Sequence, residues 1–331
     1  MLNDRRQNIL KIIVEDYIKT ARPVGSGYVA KKLNCSSATV RNEMMYLEEV
    51  GLLEKTHISS GRVPSEKGYR YYVDELMTPK DMTREDMLKL QTIFKNNTLV
   101  LSDAIKKSIE IVTEITNYTS VVLGNTSSIN RLKKVEVVPL GDNKIITMII
   151  TDKGHVEHKM MIIPSNISSL EVKQTVDLIN KLLIGTPIDE ISSKLEFEVK
   201  PIIPRFVKEH EVLYDAFYNA FNEFSTRSSD VQFIGKNNFL KQPEFNNIEK
   251  VKEILNNFED IDKVSKMEEE DNGINIYIGN ESELSPDVAV IKTKYNYNGE
   301  EGTIAIIGPK RMEYDKVVGI LNYIRDNIDI S

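Results

Sequence analysis

Hydrophobic residues recur at helical spacing in the amino-terminal region of the chain. This spacing predicts three amphipathic helices: one that ends before Pro23, a short one that begins at Ser26, and one over residues 38–50. Ser36 or Ser37 is suited to cap the third helix, because its side-chain oxygen can accept from free backbone N–H groups there. The apolar positions of the three helices are Ile9, Ile12, Ile13 and Tyr17, then Val29 and Leu33, and then Val40, Met44 and Leu47.

A short hairpin is predicted directly after the third helix. Gly51 is suited to end that helix, and a strand over residues 52–56 is followed by turn residues and a return through Arg62-Val63. A further helix follows, with Ser65 as its expected cap. Three helices followed by such a hairpin predict a winged helix-turn-helix domain over residues 1–77, whose third helix enters the major groove of DNA.

Beyond the hairpin region the chain mixes strands and helices, so the body is predicted to be α+β. Strands are expected at residues 132–138, 144–151, 155–163, 274–278, 287–297 and 303–307, and helices at 84–118, 169–184, 210–224 and 313–328. The predicted divisions are a winged-helix domain over 1–77, a helical connector over 78–120, an α+β domain in two parts over 121–185 and 244–331, and an inserted subdomain over 186–243.

Composition is typical of a folded globular protein, with 40% hydrophobic and 28% charged residues. The net charge of −7 is unevenly distributed: residues 1–75 carry 12 Lys/Arg and 10 Asp/Glu, a balance of +2, which leaves −9 for the remainder. Because the nucleic-acid backbone is negative, only the amino-terminal end is expected to face it. No apolar run is long enough to cross a bilayer and no secretion signal is visible, so we expect a cytoplasmic protein that does not contact a membrane.

Residue types for catalysis or metal binding are sparse. Cys35 has no second cysteine to pair with and is expected to be a small packed residue in its turn. His155 and His158 would lie on opposite faces of a strand, so they are not expected to bind one metal ion. Since there is also no nucleophile beside a plausible base and no phosphate-binding glycine loop, the sequence favours a binding protein over an enzyme and predicts no cofactor.

Two runs of sequence carry a resemblance to a known family. Residues 36–44, SSATVRNEM, and residues 59–74, SSGRVPSEKGYRYYVD, closely resemble the heat-inducible transcription repressor family HrcA, and residues 231–245 and 306–309 also look like that family. The resemblance implies a winged-helix head, a GAF-like body and an inserted dimerisation domain. It further implies a homodimer that binds double-stranded operator DNA at a CIRCE-type inverted repeat upstream of chaperone operons, with the chaperonin GroEL supporting the active form.

The candidate DNA-binding residues lie on the third helix and around the hairpin. Arg41 and Asn42 can pair with guanine and adenine edges, each for roughly 1–3 kcal/mol of discrimination. The alternative is that Arg41 pairs with neighbouring acids and that the serines only cap the helix. Lys67 and Arg70 can contact phosphates, but they can equally be solvated or brace the hairpin, where Gly61 is expected to allow the turn. The full candidate set is Ser36, Ser37, Thr39, Arg41, Asn42, His57, Arg62, Lys67 and Arg70.

One stripe of the helix predicted at 210–224 concentrates aromatic residues. From sequence alone such a stripe is more often an internal core than a partner face. A small inserted subdomain, however, has little core to bury it, and a symmetric operator needs two copies of the protein. Together with the family resemblance, this favours a dimer face formed by Leu213, Phe217, Phe221 and Phe224.

A second function stays open from the residues alone. A winged-helix repressor can also sense a small metabolite through its GAF-like domain, in a pocket lined by strands near 145–162 and 274–307. Nothing in those strands supplies a specific ligand signature, so only a screen of small molecules distinguishes the two functions.

Overall fold

The chain, in a computed structural model, forms two compact units. The first contains residues 1–123, 231–298 and 303–331, and we call it the main unit; the second contains residues 124–230 and 299–302, and we call it the inserted unit. The structure describes residues 2–55, 61–94, 101–124, 130–152, 154, 156–205, 208, 210–227, 231–245, 252, 254, 256–257, 273–297 and 300–328.

Helices and strands follow each other much as the hydrophobic pattern predicts, and the α+β fold class is confirmed. In chain order, the described elements are α1 (Asp4–Thr20), α2 (Ser26–Leu33), α3 (Ser37–Glu49), β1 (Leu53–Lys55), β2 (Arg62–Pro64), α4 (Glu66–Tyr71), α5 (Arg84–Phe94), α6 (Leu101–Thr116), β3 (Thr119–Gly124), β4 (Leu132–Gly141), β5 (Lys144–Thr151), β6 (Val156–Ile162), α7 (Ser169–Leu183), α8 (Ile191–Lys194), α9 (His210–Arg227), β7 (Val231–Ile234), β8 (Ile274–Ile278), β9 (Val288–Tyr297), β10 (Glu300–Pro309) and α10 (Tyr314–Ile328).

The elements α1 to α4, with the antiparallel pair β1 and β2, form the predicted winged helix-turn-helix. Asn34, between α2 and α3, has a left-handed backbone (φ 51°) that Asn tolerates. Ser65 caps α4: its hydroxyl accepts from the Gly68 N–H at 2.9 Å and donates to the Gly51 carbonyl at 2.6 Å. Gly51 itself has a φ of 78° just after α3. The cap at Ser65 and the helix end at Gly51 are therefore confirmed.

The main unit also contains a five-stranded sheet with the strand order β7-β3-β10-β9-β8, and polar contacts fasten the winged helix to it. Arg70 of α4 pairs with Glu281 and donates to the Ile276 carbonyl. Arg311, just after β10, donates to the Ile18 carbonyl of α1 at 3.0 Å. The winged helix and the sheet thus share one compact unit, whereas the sequence predicted a separate amino-terminal domain.

The inserted unit has its own core beneath the three-stranded sheet β4-β5-β6. Val135 of β4 and Ile149 of β5 lie opposite each other and belong to one buried cluster with residues of α7 and α9. Because these strands pack on the inserted helices, they do not join the five-stranded sheet. The inserted part is therefore larger than the sequence predicted, since it begins at residue 124 rather than at 186.

The aromatic stripe of α9 is internal to the inserted unit. Leu213 and Phe217 are fully buried and Phe221 is 1% exposed, all in the core of that unit. The expectation that these three side chains form the dimer face is wrong, because the sheet supplies enough core to bury them within one chain. The side chain of Phe224 lies outside the described residues.

Gly68→Ala is expected to destabilise the winged helix. A Cβ at Gly68 would lie 2.0 Å from the Leu52 carbonyl oxygen, so α4 would have to move away from the start of β1. Overpacking of this kind costs about 1–3 kcal/mol. Equilibrium unfolding of the full chain in denaturant measures this loss.

Gly27→Ala is the matched control in the same domain. Nothing lies within 4 Å of a Cβ at Gly27, which is in α2. Since Ala is favoured over Gly in a helix by about 1 kcal/mol, this variant is expected to be neutral or stabilising. Equal unfolding midpoints for the two variants would show that the close approach of α4 to the Leu52 carbonyl does not limit the stability of the domain.

Candidate DNA-binding surface

The amino-terminal end of α3 is exposed to solvent, and three hydroxyl side chains lie there. Ser36 caps the helix: its Oγ accepts from the Thr39 N–H at 3.1 Å and lies 2.8 Å from Thr39 Oγ1. Ser37 Oγ lies 3.1 Å from Ser26 Oγ, which ties the start of α3 to the start of α2. Of the two serines that the sequence offered as a cap, Ser36 has that position and Ser37 bridges the two helices.

Arg41 and Asn42 lie exposed on the first turns of α3. Within the part of the chain that the structure describes, neither side chain has a hydrogen-bond or ion-pair partner. The alternative in which Arg41 pairs with a neighbouring acid is therefore not realised. Both side chains are free to meet an external ligand.

Two ion pairs hold α3 from either side. Arg6 of α1 approaches Glu43 at 2.7 Å (Nε to Oε2), and its guanidinium carbon lies 3.4 Å from the centre of the Tyr46 ring. Arg62 of β2 approaches Glu48 at 2.6 Å, and the Arg62 side chain is only 12% exposed. These pairs neutralise two carboxylates that would otherwise repel phosphate groups.

The base of the hairpin is braced against the start of α2. The backbones of Val24 and Arg62 exchange hydrogen bonds of 2.9 and 3.0 Å. Gly61 is buried, and a Cβ there would lie 2.8 Å from the Cβ of Pro23. Since φ of Gly61 is not positive, this glycine permits a close approach of two chain segments and not the turn that the sequence predicted. His57, at the predicted hairpin tip, lies outside the described residues.

Lys67 and Arg70 have different surroundings. Lys67 is exposed near the end of α3, where its Nζ donates to the Val50 carbonyl at 3.3 Å. Arg70, one turn further along α4, is engaged with Asp74 at 3.2 Å and with Glu281 of the sheet region. Of the roles that the sequence left open, Arg70 braces the fold, while Lys67 stays accessible.

Sequence reasoning missed an exposed cluster next to this helix. Lys31 and Lys32 of α2 are exposed, and Lys32 Nζ lies 5.1 Å from the centre of the exposed Tyr28 ring. Met45, one turn after Arg41, is also exposed. A signal was present in the sequence, because Tyr28 and Met45 are large side chains that fall out of phase with the apolar stripes of their helices.

Other residues singled out in the sequence do not form a site. Cys35 is exposed, so the expectation of a packed thiol is wrong, because the turn holds this side chain outside the core. Among the described residues, no group of three or more His, Cys, Asp or Glu is arranged to hold a metal ion. In those same ranges, no helix combines the length and apolar character needed to cross a bilayer. The strands expected to line a metabolite pocket lie in two different sheets.

Two family models match the chain. Residues 1–75 match the model described as winged helix-turn-helix transcription repressor, HrcA DNA-binding, and residues 102–318 match the model of the HrcA protein C-terminal domain.

Curated proteins of the same name are similar along nearly their whole length. The heat-inducible transcription repressor HrcA of Bacillus pumilus (strain SAFR-032) is 38% identical over 334 residues, which cover 99% of this chain and 97% of that protein. The repressor of the same name from Lysinibacillus sphaericus is 38% identical over 331 residues, covering 98% and 96%. A crystal structure of a hypothetical protein at 2.2 Å shares the fold, with a TM-score of 0.68 and 22% identity over 100% of this chain and 98% of that one.

Proposed function

Since the chain belongs to the HrcA family of heat-inducible transcription repressors, we propose that it represses chaperone operons in the cytoplasm. In this proposal it binds a CIRCE-type inverted-repeat operator as a homodimer, and the chaperonin GroEL supports its active form. The curated relatives are repressors and not enzymes. The observation that carries the proposal is the exposed and unpaired Arg41-Asn42 at the open end of α3, in a domain that matches a DNA-binding family model.

The helix α3 enters the major groove with its amino-terminal end first. Arg41 donates to N7 and O6 of guanine, and Asn42 pairs with adenine. The hydroxyls of Ser36, Ser37 and Thr39, with the free N–H groups of the first turn, face phosphates. The positive end of the helix dipole favours anions at that place. Bases are thus read by two side chains that lie beside a phosphate-binding helix end.

Backbone contacts come from cations at the margin of this surface. Lys31, Lys32 and Lys67 are exposed and supply charge that is independent of the DNA sequence. His57, which the sequence predicts at the hairpin tip, contacts the backbone or an adjacent minor groove in this proposal. Arg62 acts indirectly, because its guanidinium is committed to Glu48 and fixes the base of the hairpin beside α3.

The second copy of the chain binds through the exposed side of the three-stranded sheet, which we call the outer sheet face. It is formed by Val138, Ile146, Met148, Ile150, Val156, Met160 and Ile162, which are directed away from the core of the inserted unit. Met160 is 60% exposed and Ile162 is 74% exposed. Apolar side chains fill the row Val138, Ile146 and Met160, whereas Met148 is flanked across the strands by Glu136 and His158. Exposed apolar side chains grouped in this way are typical of a protein interaction surface.

Operator symmetry favours a second copy as the occupant of this face. An inverted repeat presents two half-sites related by a two-fold axis, so two winged helices have to be joined. In a two-fold contact the same patch is used on both chains and has to be complementary to itself. The pairing of Lys134 with Glu136 on the outer sheet face supports this choice, because the pair leaves no net charge to oppose the same face of a second copy.

GroEL enters the proposal as a factor that raises the DNA-competent fraction of the repressor. A chaperonin can shift this fraction only if it interacts differently with competent and incompetent forms. When unfolded clients occupy the chaperonin, less repressor is kept competent and transcription of the chaperone operons rises.

Arg41→Ala is expected to weaken operator binding by about 1–3 kcal/mol and to relax sequence choice, while binding to random DNA changes little. Fluorescence anisotropy with both DNAs across a salt series measures this. Lys67→Ala is the matched comparison: it should weaken both DNAs alike and lower the salt slope by about one. Equal losses of Arg41→Ala on operator and random DNA would rule out base reading by this residue.

Met160→Glu and Ile162→Glu are each expected to raise the dimer dissociation constant by roughly tenfold or more, because each places a charge in an apolar contact. Sedimentation equilibrium of the full chain measures the constant. Phe197→Glu is the control, since Phe197 is 76% exposed on the same unit but lies outside the sheet. If Phe197→Glu weakens the dimer as much as the two sheet variants do, the outer sheet face is not the dimer contact.

Purified chaperonin is expected to raise the fraction of repressor that binds operator DNA, and an added unfolded client protein should reverse the gain. Titration of active repressor with excess labelled operator measures the fraction directly. An active fraction that is the same with chaperonin, without it and with the client would remove GroEL from the mechanism while leaving operator binding intact.

A further inference from the structure

The inserted unit contains a pocket of about 550 Å³ that neither DNA reading nor pairing of two copies uses. It lies between the β4–β5 hairpin, the segment after β6 and the start of α7. Its volume falls within the range of small-molecule binding sites. The pocket is also separate from the outer sheet face, because Val137 and Ile145 line it from the opposite, inner side of the sheet.

The wall of the pocket is apolar. Ile145, Ile163, Ile167 and Val172 line it, and each belongs to the core cluster of the inserted unit. They keep a few percent of exposure, whereas Leu183 in the same cluster is fully buried. The core is therefore incompletely filled at this end, and an apolar ligand chain can complete it.

The polar groups of the pocket favour an anion. Lys173 lines it, and within the described ranges its side chain has no ion-pair or hydrogen-bond partner. Lys144 lines it as well, but it lies opposite Ile162 in the sheet, so its side chain belongs to the outer sheet face. Ser169 lines it as the first residue of α7, a helix of 15 residues whose capping hydrogen bonds are already made by Ser168 and Glu171. Asp142 is the one acid in the lining, so the anion is assigned to the Lys173 side of the pocket.

We propose that this pocket binds an amphipathic anion: an apolar chain that lies against the isoleucines, with one carboxylate or phosphate head beside Lys173 and the start of α7. The apolar wall and the charge of Lys173 meet in one cavity, which is the arrangement that such a ligand requires. Neither a purely apolar molecule nor a small free anion satisfies both parts of the lining.

Isothermal titration of the full chain tests the proposal, with octanoate and octyl phosphate as ligands that share the chain and differ in the head. At least one of them is expected to bind saturably, at least about tenfold more tightly than octanol, which lacks the charge, and than acetate, which lacks the chain. The comparison of octanoate with octyl phosphate identifies the preferred head. The proposal would be overturned if neither octanoate nor octyl phosphate bound, or if octanol bound as tightly as the tighter of the two.

Lys173→Met is expected to weaken the preferred anion about tenfold or more and to leave octanol unchanged, because it removes only the charge. Lys181→Met is the matched control on the same helix, since Lys181 is exposed and does not line the pocket. Both substitutions are at exposed positions, so folding is preserved and can be checked by thermal unfolding. Equal effects of the two substitutions on the anion would contradict the assigned site.

Discussion

Burial of one stripe of α3 is the constraint on which the DNA-binding surface depends. Val40, Met44 and Leu47 are turned into the core of the winged helix, and successive residues of a helix are rotated by about 100°. Arg41 and Asn42 follow Val40 directly, so they are rotated away from the core. The same hydrophobic pattern that folds the domain thus determines which polar side chains face outward.

Features that depend on neighbours in the sequence could be predicted, and features that depend on distant contacts could not. The cap at Ser65 and the helix end at Gly51 act within one helical turn, so local residue types specify them. Arg70, by contrast, has its partner Glu281 at a separation of 211 residues. Gly61 is needed because the chain passes close to Pro23, and no local pattern records that approach.

Assignment of strands to sheets was the largest gap between sequence and structure. The sequence of β5 is apolar on both faces, with Ile145 and Ile149 on one and Ile146, Met148 and Ile150 on the other, so it indicates a strand but does not say which face the helices cover. The helical spacing of apolar residues in α9 is equally incomplete. It predicts that Phe217 is buried, but it does not identify the element that packs on Phe217. Once β4 to β6 are packed on α9, the aromatic stripe is buried inside the unit, and apolar residues on the other side of the sheet, such as Met160 and Ile162, stay exposed.

The fastening of the winged helix restricts how the repressor can be regulated. Arg70 pairs with Glu281, and Arg311 reaches the Ile18 carbonyl while also pairing with Glu244, so contacts of two arginines join the winged helix to other parts of the main unit. Tyr69 of the winged helix also lies in one buried cluster with Tyr314 of α10, their ring centres 6.0 Å apart, and separating them would expose apolar surface, which opposes free rotation of the winged helix. The structure therefore favours regulation that acts on the main unit as a whole over a hinge between the winged helix and the sheet. This agrees with the proposed control by a chaperonin, because a chaperonin acts on the folding state of its client.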